Sequence, residues 1–220
     1  MSLARFNFLV SCLRFDSKDT RENIRLITKF APISEVWEIL IKNCETLYKP
    51  SSYLTIDEQL VGFRGRCPFK MYIPSKPNKY GVKIIMMCDN ETKYMISALP
   101  YCGKGTVPTN EPAANYFVER LISSVKGSNR NITMVNLSTS VPLTQKLLAD
   151  YELTVIGTIK RNKREFPNEF IDLKYINRKA YSSLFLFANN LVAVSFKAKP
   201  DKLVTLISSL HDDNTIDETN

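Results

Sequence analysis

The sequence predicts an α/β protein: a mixed sheet with flanking helices, preceded by a helical N-terminal segment and followed by β-rich residues. Three observations carry that prediction. The hydrophobic period changes from helical to alternating near Tyr53. Three β-rich runs then follow with only turns between them. From Ala114 to Ile159, helical and extended patterns alternate.

The first 50 residues read as helical. Ser34 is placed to cap a helix whose apolar positions Val36, Trp37, Leu40, Ile41, Cys44 and Leu47 form one stripe, with Trp37 expected in the core. Pro50-Ser51-Ser52 breaks this pattern. Tyr53 to Asp57 is a short β-rich run, and Phe69, Met71 and Ile73 alternate with polar neighbours. Gly81 to Cys88 is almost wholly apolar, as in a strand covered on both faces. Asp89-Asn90 reads as a turn into a strand through Tyr94, Ile96 and Ala98, which completes a three-stranded antiparallel meander. A helix follows, with Ala114, Phe117, Val118, Leu121, Ile122 and Val125 on one face and Gly127 as its stop. Asn131 to Val135 is the next strand. A second helix starts near Ser140 with Pro142 in its first turn and Leu143, Leu147 and Leu148 inward, and a strand spans Leu153 to Ile159. Residues 184–188 and 191–197 form a hairpin around Asn189-Asn190, with a further strand at 203–208.

Three antiparallel strands, helix, strand, helix, strand is the order of a ribonuclease H-like sheet, in which strand–helix–strand units make right-handed parallel crossovers. The chain divides accordingly into a helical segment (1–52), a ribonuclease H-like unit (53–166) and a β-rich remainder with an acidic tail (167–220).

Composition narrows the chemistry. Of 220 residues 44% are hydrophobic and 24% charged, which fits a soluble globular protein. Long uninterrupted apolar runs are lacking, which argues against a membrane partner, and the start MSLARFNFLVSCLRF has no small-residue cleavage site. Cys12, Cys44, Cys67, Cys88 and Cys102 are odd in number and lack CxxC spacing. That disfavours a disulfide framework or zinc site and suits a reducing compartment. With His211 as the sole histidine, mechanisms built on a histidine base have little to stand on. The net charge is +8, but the last ten residues hold four acids and no Lys or Arg, so residues 1–210 carry +12. A basic body invites a polyanionic partner.

Ribonuclease H-like nucleases gather carboxylates where strands converge, to hold two divalent metals about 3.5–4 Å apart. Asp57, on the first strand, is the candidate for the first of them, and the second belongs on the strand Asn131 to Val135. The stretch YLTIDEQLVGFRGRCPFKMYIPSKPNKYGVKIIMMCD strongly resembles the catalytic domain of the piggyBac transposase family. Further matches are SCLRFD at 11–16, TKYMISALPY at 92–101, NRNIT at 129–133 and VIGTIKRNKRE at 155–165, so the resemblance runs from about Phe8 to Asn220.

The resemblance implies a cut-and-paste DNA transposase with three catalytic aspartates, two Mg²⁺ or Mn²⁺ ions, and a ribonuclease H-like sheet interrupted by an insertion domain. Residues 167–220 would be part of that insertion, and 1–52 part of the dimerisation and DNA-binding region. Asp57 matches the first aspartate, within TIDEQ. The second follows NIT and one further residue, a position that here holds Val135. The third lies on a helix beyond the insertion, expected after Asn220. Valine offers no oxygen to a hard cation. Asn136 offers a neutral amide from the opposite side of the strand. Cys88-Asp89-Asn90 resembles the missing triplet but sits at a turn, and Glu58 alternates away from Asp57. The expectation is therefore a degenerate site without a complete metal set and without a cofactor.

The basic residues remain. Arg64, Arg66, Lys70, Lys76, Lys79 and Lys83 fall between Gln59 and Cys88 with no acid among them, and Lys160, Arg161, Lys163 and Arg164 follow the last strand of the unit. All ten are candidates for phosphate contact. The interleaved Phe63, Phe69, Tyr72 and Tyr80 are expected in the core, and Gly62, Gly65 and Gly81 in turns. Three functions follow: a nuclear, catalytically inactive transposase-derived protein that binds DNA and pairs with a full-length relative or itself; a host-recruited protein-interaction module; or a non-functional truncated remnant.

Overall fold

The computed structural model describes residues 1–172 and 178–215. At its centre lies β1 (Tyr53–Gly62), a ten-residue strand where the sequence pattern predicted five. It runs antiparallel to β3 (Tyr80–Asp89) on one side and parallel to β5 (Asn131–Met134) on the other. β2 (Met71–Tyr72) and β4 (Met95–Pro100) share the far edge of β3, at opposite ends, so the expected meander β1–β3–β4 is present. β6 (Thr154–Thr158) continues the parallel run beside β5. β7 (Ser183–Ala188), β8 (Leu191–Lys199) and β9 (Lys202–Ser208) extend the same sheet, β9 pairing antiparallel with β6. The order across the described residues is β2-β3-β1-β5-β6-β9-β8-β7.

Two helices cover one face of this sheet. α4 (Ala113–Leu121), prolonged by a 3₁₀ turn to Ser124, buries Phe117, Val118, Leu121 and Ile122 against Leu54, Ile56 and Ile132. α5 (Val141–Tyr151) adds Leu143 and Leu147. Its start is as expected: the Ser140 hydroxyl accepts from Leu143 N at 3.4 Å, and Pro142 occupies the first turn, where no intrahelical donor is needed. Gly127 ends the α4 region at φ +69°, and its N–H donates to Tyr151 O at 2.8 Å. On the outer surface Lys146 Nζ donates to both Glu119 carboxylate oxygens at 2.8 Å, and Tyr151 Oη joins at 3.1 Å, tying α5 to α4.

The hairpin β7–β8 turns through Asn189 and Asn190, both at positive φ (48° and 62°). Asparagine tolerates that conformation, which the twist of a two-residue hairpin requires. A second, smaller core joins Ile159, Phe166 and Phe170, the last on the short helix α6 (Asn168–Ile171), to Leu191, Ala193 and Ile207. The last five residues of the acidic tail lie outside the described residues.

The N-terminal segment holds α1 (Leu3–Cys12), α2 (Lys18–Ile27), a 3₁₀ turn (Ala31–Ile33) and α3 (Ser34–Leu47). Ser34 does not cap α3: it is already helical, and its hydroxyl donates to Ala31 O at 3.3 Å. The apolar stripe of α3 is also only partly covered. Trp37, Ile41 and Cys44 turn inward, whereas Val36, Leu40 and Leu47 are exposed. Trp37 is half-buried, its Nε1–H donating to the Ala98 carbonyl at 3.2 Å and its ring edge-on to Phe30. No helix among the described residues is long and apolar enough to cross a membrane.

The glycine expectation needs correcting. Gly62 and Gly81 lie opposite each other in β1 and β3, within strands and not in turns. A Cβ on Gly81 would stand 2.2 Å from the Val61 carbonyl oxygen, so glycine there permits a close backbone approach.

Candidate functional site

Alternation divides β1 into two faces. Leu54, Ile56 and Leu60 are buried on one face, the first two beneath the helices, and Thr55, Asp57, Gln59 and Val61 face the other way. Glu58 shares the covered face, where Lys76 Nζ (3.7 Å) and Lys83 Nζ (3.8 Å) reach its carboxylate. Asp57 is exposed, and its Oδ1 accepts from Glu58 N at 2.7 Å.

Parallel pairing sets the neighbour of Asp57. Ile56 is opposite Met134 in β5, and Met134 is opposite Gly157 in β6. One step further along the three strands stand Asp57, Val135 and Thr158, at the carboxyl ends where sites form in such sheets. Position 135 is held there by its carbonyl, which accepts from Ser138 N and Thr139 Oγ1, each at 2.9 Å. Gly157 leaves space for this turn, since a Cβ there would lie 2.6 Å from Thr139 Oγ1. On the antiparallel side Asp57 is opposite Met86, and two residues along, Thr55 is opposite Cys88. Burial and the Asp57 charge both raise the Cys88 thiol above its usual range.

Asp57 is thus flanked by Val135 and Met86. The chemistry of these donors does not fit a divalent cation, which needs several oxygen ligands. Among the described residues no three His, Cys, Asp or Glu side chains converge as a metal site. Asn136, one residue on from Val135, is exposed beside a groove formed with Thr158 to Asn162 and Leu203 to Thr205.

Asp89 has a different task. It is 1% exposed and on the covered face, opposite Leu54. Its carboxylate accepts from Ser51 N (2.6 Å), Glu91 N (2.8 Å) and Thr92 N (3.1 Å), while the Thr55 hydroxyl donates to Asn90 Oδ1. Burial by itself would raise this carboxyl, but the three backbone donors outweigh burial and hold it far below the ordinary range. The triplet Cys88-Asp89-Asn90 is turn architecture.

The basic candidates separate into two sets. Lys76 and Lys83 are engaged by Glu58, and Lys70 Nζ reaches the Gly65 carbonyl at 3.1 Å. Arg64, Arg66 and Lys79 are exposed, with no side-chain partner among the described residues. Lys160, Arg161 and Arg164 are likewise exposed, in the loop after β6, and Lys163 is half-buried. Lys160 and Arg161 line the groove that Asn136 enters.

The aromatics overturn an expectation. Phe69 is buried, but Phe63, Tyr80 and Tyr72 are 42%, 46% and 54% exposed. Tyr72 is opposite Tyr80 in β2–β3, their ring centroids 4.8 Å apart, and Phe63 N donates to Tyr80 O at 3.2 Å. The three therefore form one row across the sheet. By strand parity it lies on the face of Asp57, about 20 Å away at roughly 3.3 Å per residue. Ending the first strand at Asp57 concealed this: carried on to Gly62, the same alternation puts Phe63 on the open side.

The Transposase IS4 family model matches residues 1–220. A solved piggyBac transposase, in a synaptic complex with hairpin DNA, is 48% identical, superposes with a TM-score of 0.92 and is matched over 100% of this chain. The chain spans 46% of that protein's length. A mixed sheet of ribonuclease H type, TIDEQ on its central strand and a match over the whole of this chain together lead to one conclusion: the chain belongs to the piggyBac-type transposases of the Transposase IS4 family.

Proposed function

We propose that this chain is a DNA-binding transposase domain that does not itself cleave or join DNA. The observation that carries this reading is Val135 in the register position beside Asp57, where the family resemblance implies the second catalytic aspartate. A hydrocarbon there leaves Asp57 without a carboxylate neighbour on either adjacent strand. Residues 53–166 serve as the catalytic-type unit that has lost its metal set, and 167–220 as part of the insertion domain. DNA binding rests on the uncompensated cations Arg64, Arg66, Lys79, Lys160, Arg161 and Arg164. Lys163, half-buried, supports the second cluster, whereas Lys70, Lys76 and Lys83 act mainly within the fold.

Residues 1–52 support pairing with a second chain, a copy of this one or a complete transposase. α1 buries none of its residues, and Phe6, Phe8, Leu9 and Val10 all stand exposed on it. A DNA-binding partner of a transposase acts in the nucleus. The solved relative, held with hairpin DNA, is consistent with this reading.

The test is incubation of the purified chain with transposon-end DNA and Mg²⁺ or Mn²⁺, alongside binding measured across salt concentrations. Binding without nicked or joined product is expected, its logarithm falling linearly with the logarithm of salt. Arg64→Ala with Arg66→Ala should shallow that slope by about 2, roughly 0.9 for each phosphate no longer neutralised. Any cleavage would sink the inactive reading, and a salt-independent affinity would sink the DNA-binding one.

A second measurement addresses the metal position directly. Val135→Asp places a second carboxylate beside Asp57, so millimolar Mn²⁺ should raise the melting midpoint of this variant by about 4 °C. That is the shift for a roughly tenfold excess over the dissociation constant. The parent chain and the Asp57→Asn, Val135→Asp variant should show no such rise.

A further inference from the structure

The row Phe63–Tyr80–Tyr72 presents three half-exposed aromatic side chains on the Asp57 face of the sheet, with Gly65 packed against the Phe63 ring and Lys70 Nζ 6.0 Å from the centre of the Tyr80 ring. Its surroundings carry one sign of charge. Arg64 and Lys79 are each the chain neighbour of a row member, Arg66 follows in the same loop, and no acidic residue occurs from Gln59 to Cys88. Glu58, the acid just before this stretch, is on the covered face and held by Lys76 and Lys83.

We propose that this row is a stacking platform for unpaired bases of DNA, with Arg64, Arg66 and Lys79 holding the adjoining phosphates. The proposal rests on the DNA-binding reading and names the form of DNA that this part of the surface takes. Aromatic side chains interleaved with cations are the combination that binds single strands, because every base has a face to stack while the cations track the backbone. Within a duplex the base faces are already covered by their neighbours, so the rings would have nothing to stack upon. The positive rim matches a polyanion and not an apolar protein surface. The row also shares the sheet face of Asp57, so one DNA segment could run from the vestigial site to the platform, a span of about 20 Å.

The test compares a blunt duplex with the same duplex carrying a short unpaired tail, by fluorescence anisotropy at fixed salt. The parent chain should bind the tailed DNA about tenfold more tightly, the size of one base–aromatic stack. Tyr72→Ala with Tyr80→Ala should remove that preference and leave blunt-duplex affinity within about twofold, since every cation that meets a phosphate is still in place. Tyr72→Phe with Tyr80→Phe should keep it, because the rings remain. If the double alanine variant does not fold, Tyr72→Ala alone serves, because Tyr72 is on a two-residue edge strand and mostly exposed. A parent chain that binds blunt duplex without preferring the tail, or an alanine variant that keeps the preference, overturns the platform and leaves the DNA-binding reading intact. A parent chain that binds neither DNA overturns both.

Discussion

Asp89→Ala should lower the unfolding free energy by about 3–5 kcal/mol, read as a fall in the urea midpoint at unchanged slope. The carboxylate accepts from three backbone N–H groups in the turn that joins α3 to β1 and β3 to β4. Bonds to a charged acceptor are the stronger kind, and alanine would strand the donors of Ser51, Glu91 and Thr92 with nothing in their place. Asp89→Asn should recover part of the stability, because its one carbonyl oxygen can accept but its amide opposes the remaining donors. The pH dependence follows in sign. A carboxyl held low in the folded state contributes stability that is fully present above its unfolded value of about 3.9. That contribution is lost as pH falls through the folded value. The gap between parent and Asp89→Ala should therefore be widest above pH 4 and narrow in stronger acid. A constant gap across that range would mean that the turn is held by something other than this charge.

Gly81→Ala should cost about 3 kcal/mol, about a 10 °C fall in melting midpoint. The new Cβ would meet the Val61 carbonyl oxygen at 2.2 Å, and both atoms belong to the paired backbones of β1 and β3. A side chain could rotate away from such a clash, but a strand backbone must shift. The row of Phe63, Tyr80 and Tyr72 begins one residue further along, so any preference for tailed DNA should fall with the stability. Gly103→Ala makes a useful contrast. Its Cβ would meet nothing within 4 Å, so its cost should come only from the positive φ of 79°.

Local patterns carried the helices α4 and α5, the Asn189-Asn190 hairpin and the Ser140 cap, because each depends on residues a few positions apart. Val135 stands out in the sequence for a related reason: the family resemblance marks the position by the short motif NIT, and valine cannot ligate a cation. The stripe of α3 misled, because its period reports which residues share a helix face and says nothing about how much of that face is covered. The aromatics misled in the same way. Phe69 and Tyr72 look alike in a β-rich segment, yet one is buried and the other stands on an open edge strand.

Alternation along the chain thus determined which residues of β1 share a side, and motif spacing determined that the position after Met134 lacks a carboxylate. The tertiary structure decided that this position follows the Ile56–Met134 pair in β5 just as Asp57 follows it in β1, that the single carboxylate of Glu58 engages two of the candidate cations, and that Phe63, Tyr80 and Tyr72 line up on the face of Asp57. Asp57 and Val135 are 78 positions apart in the sequence and each directly follows a member of the Ile56–Met134 pair in one parallel register. Such a register is set by the crossover helix and the shared core beneath it, because slipping it by one residue would turn every buried side chain of β5 outward.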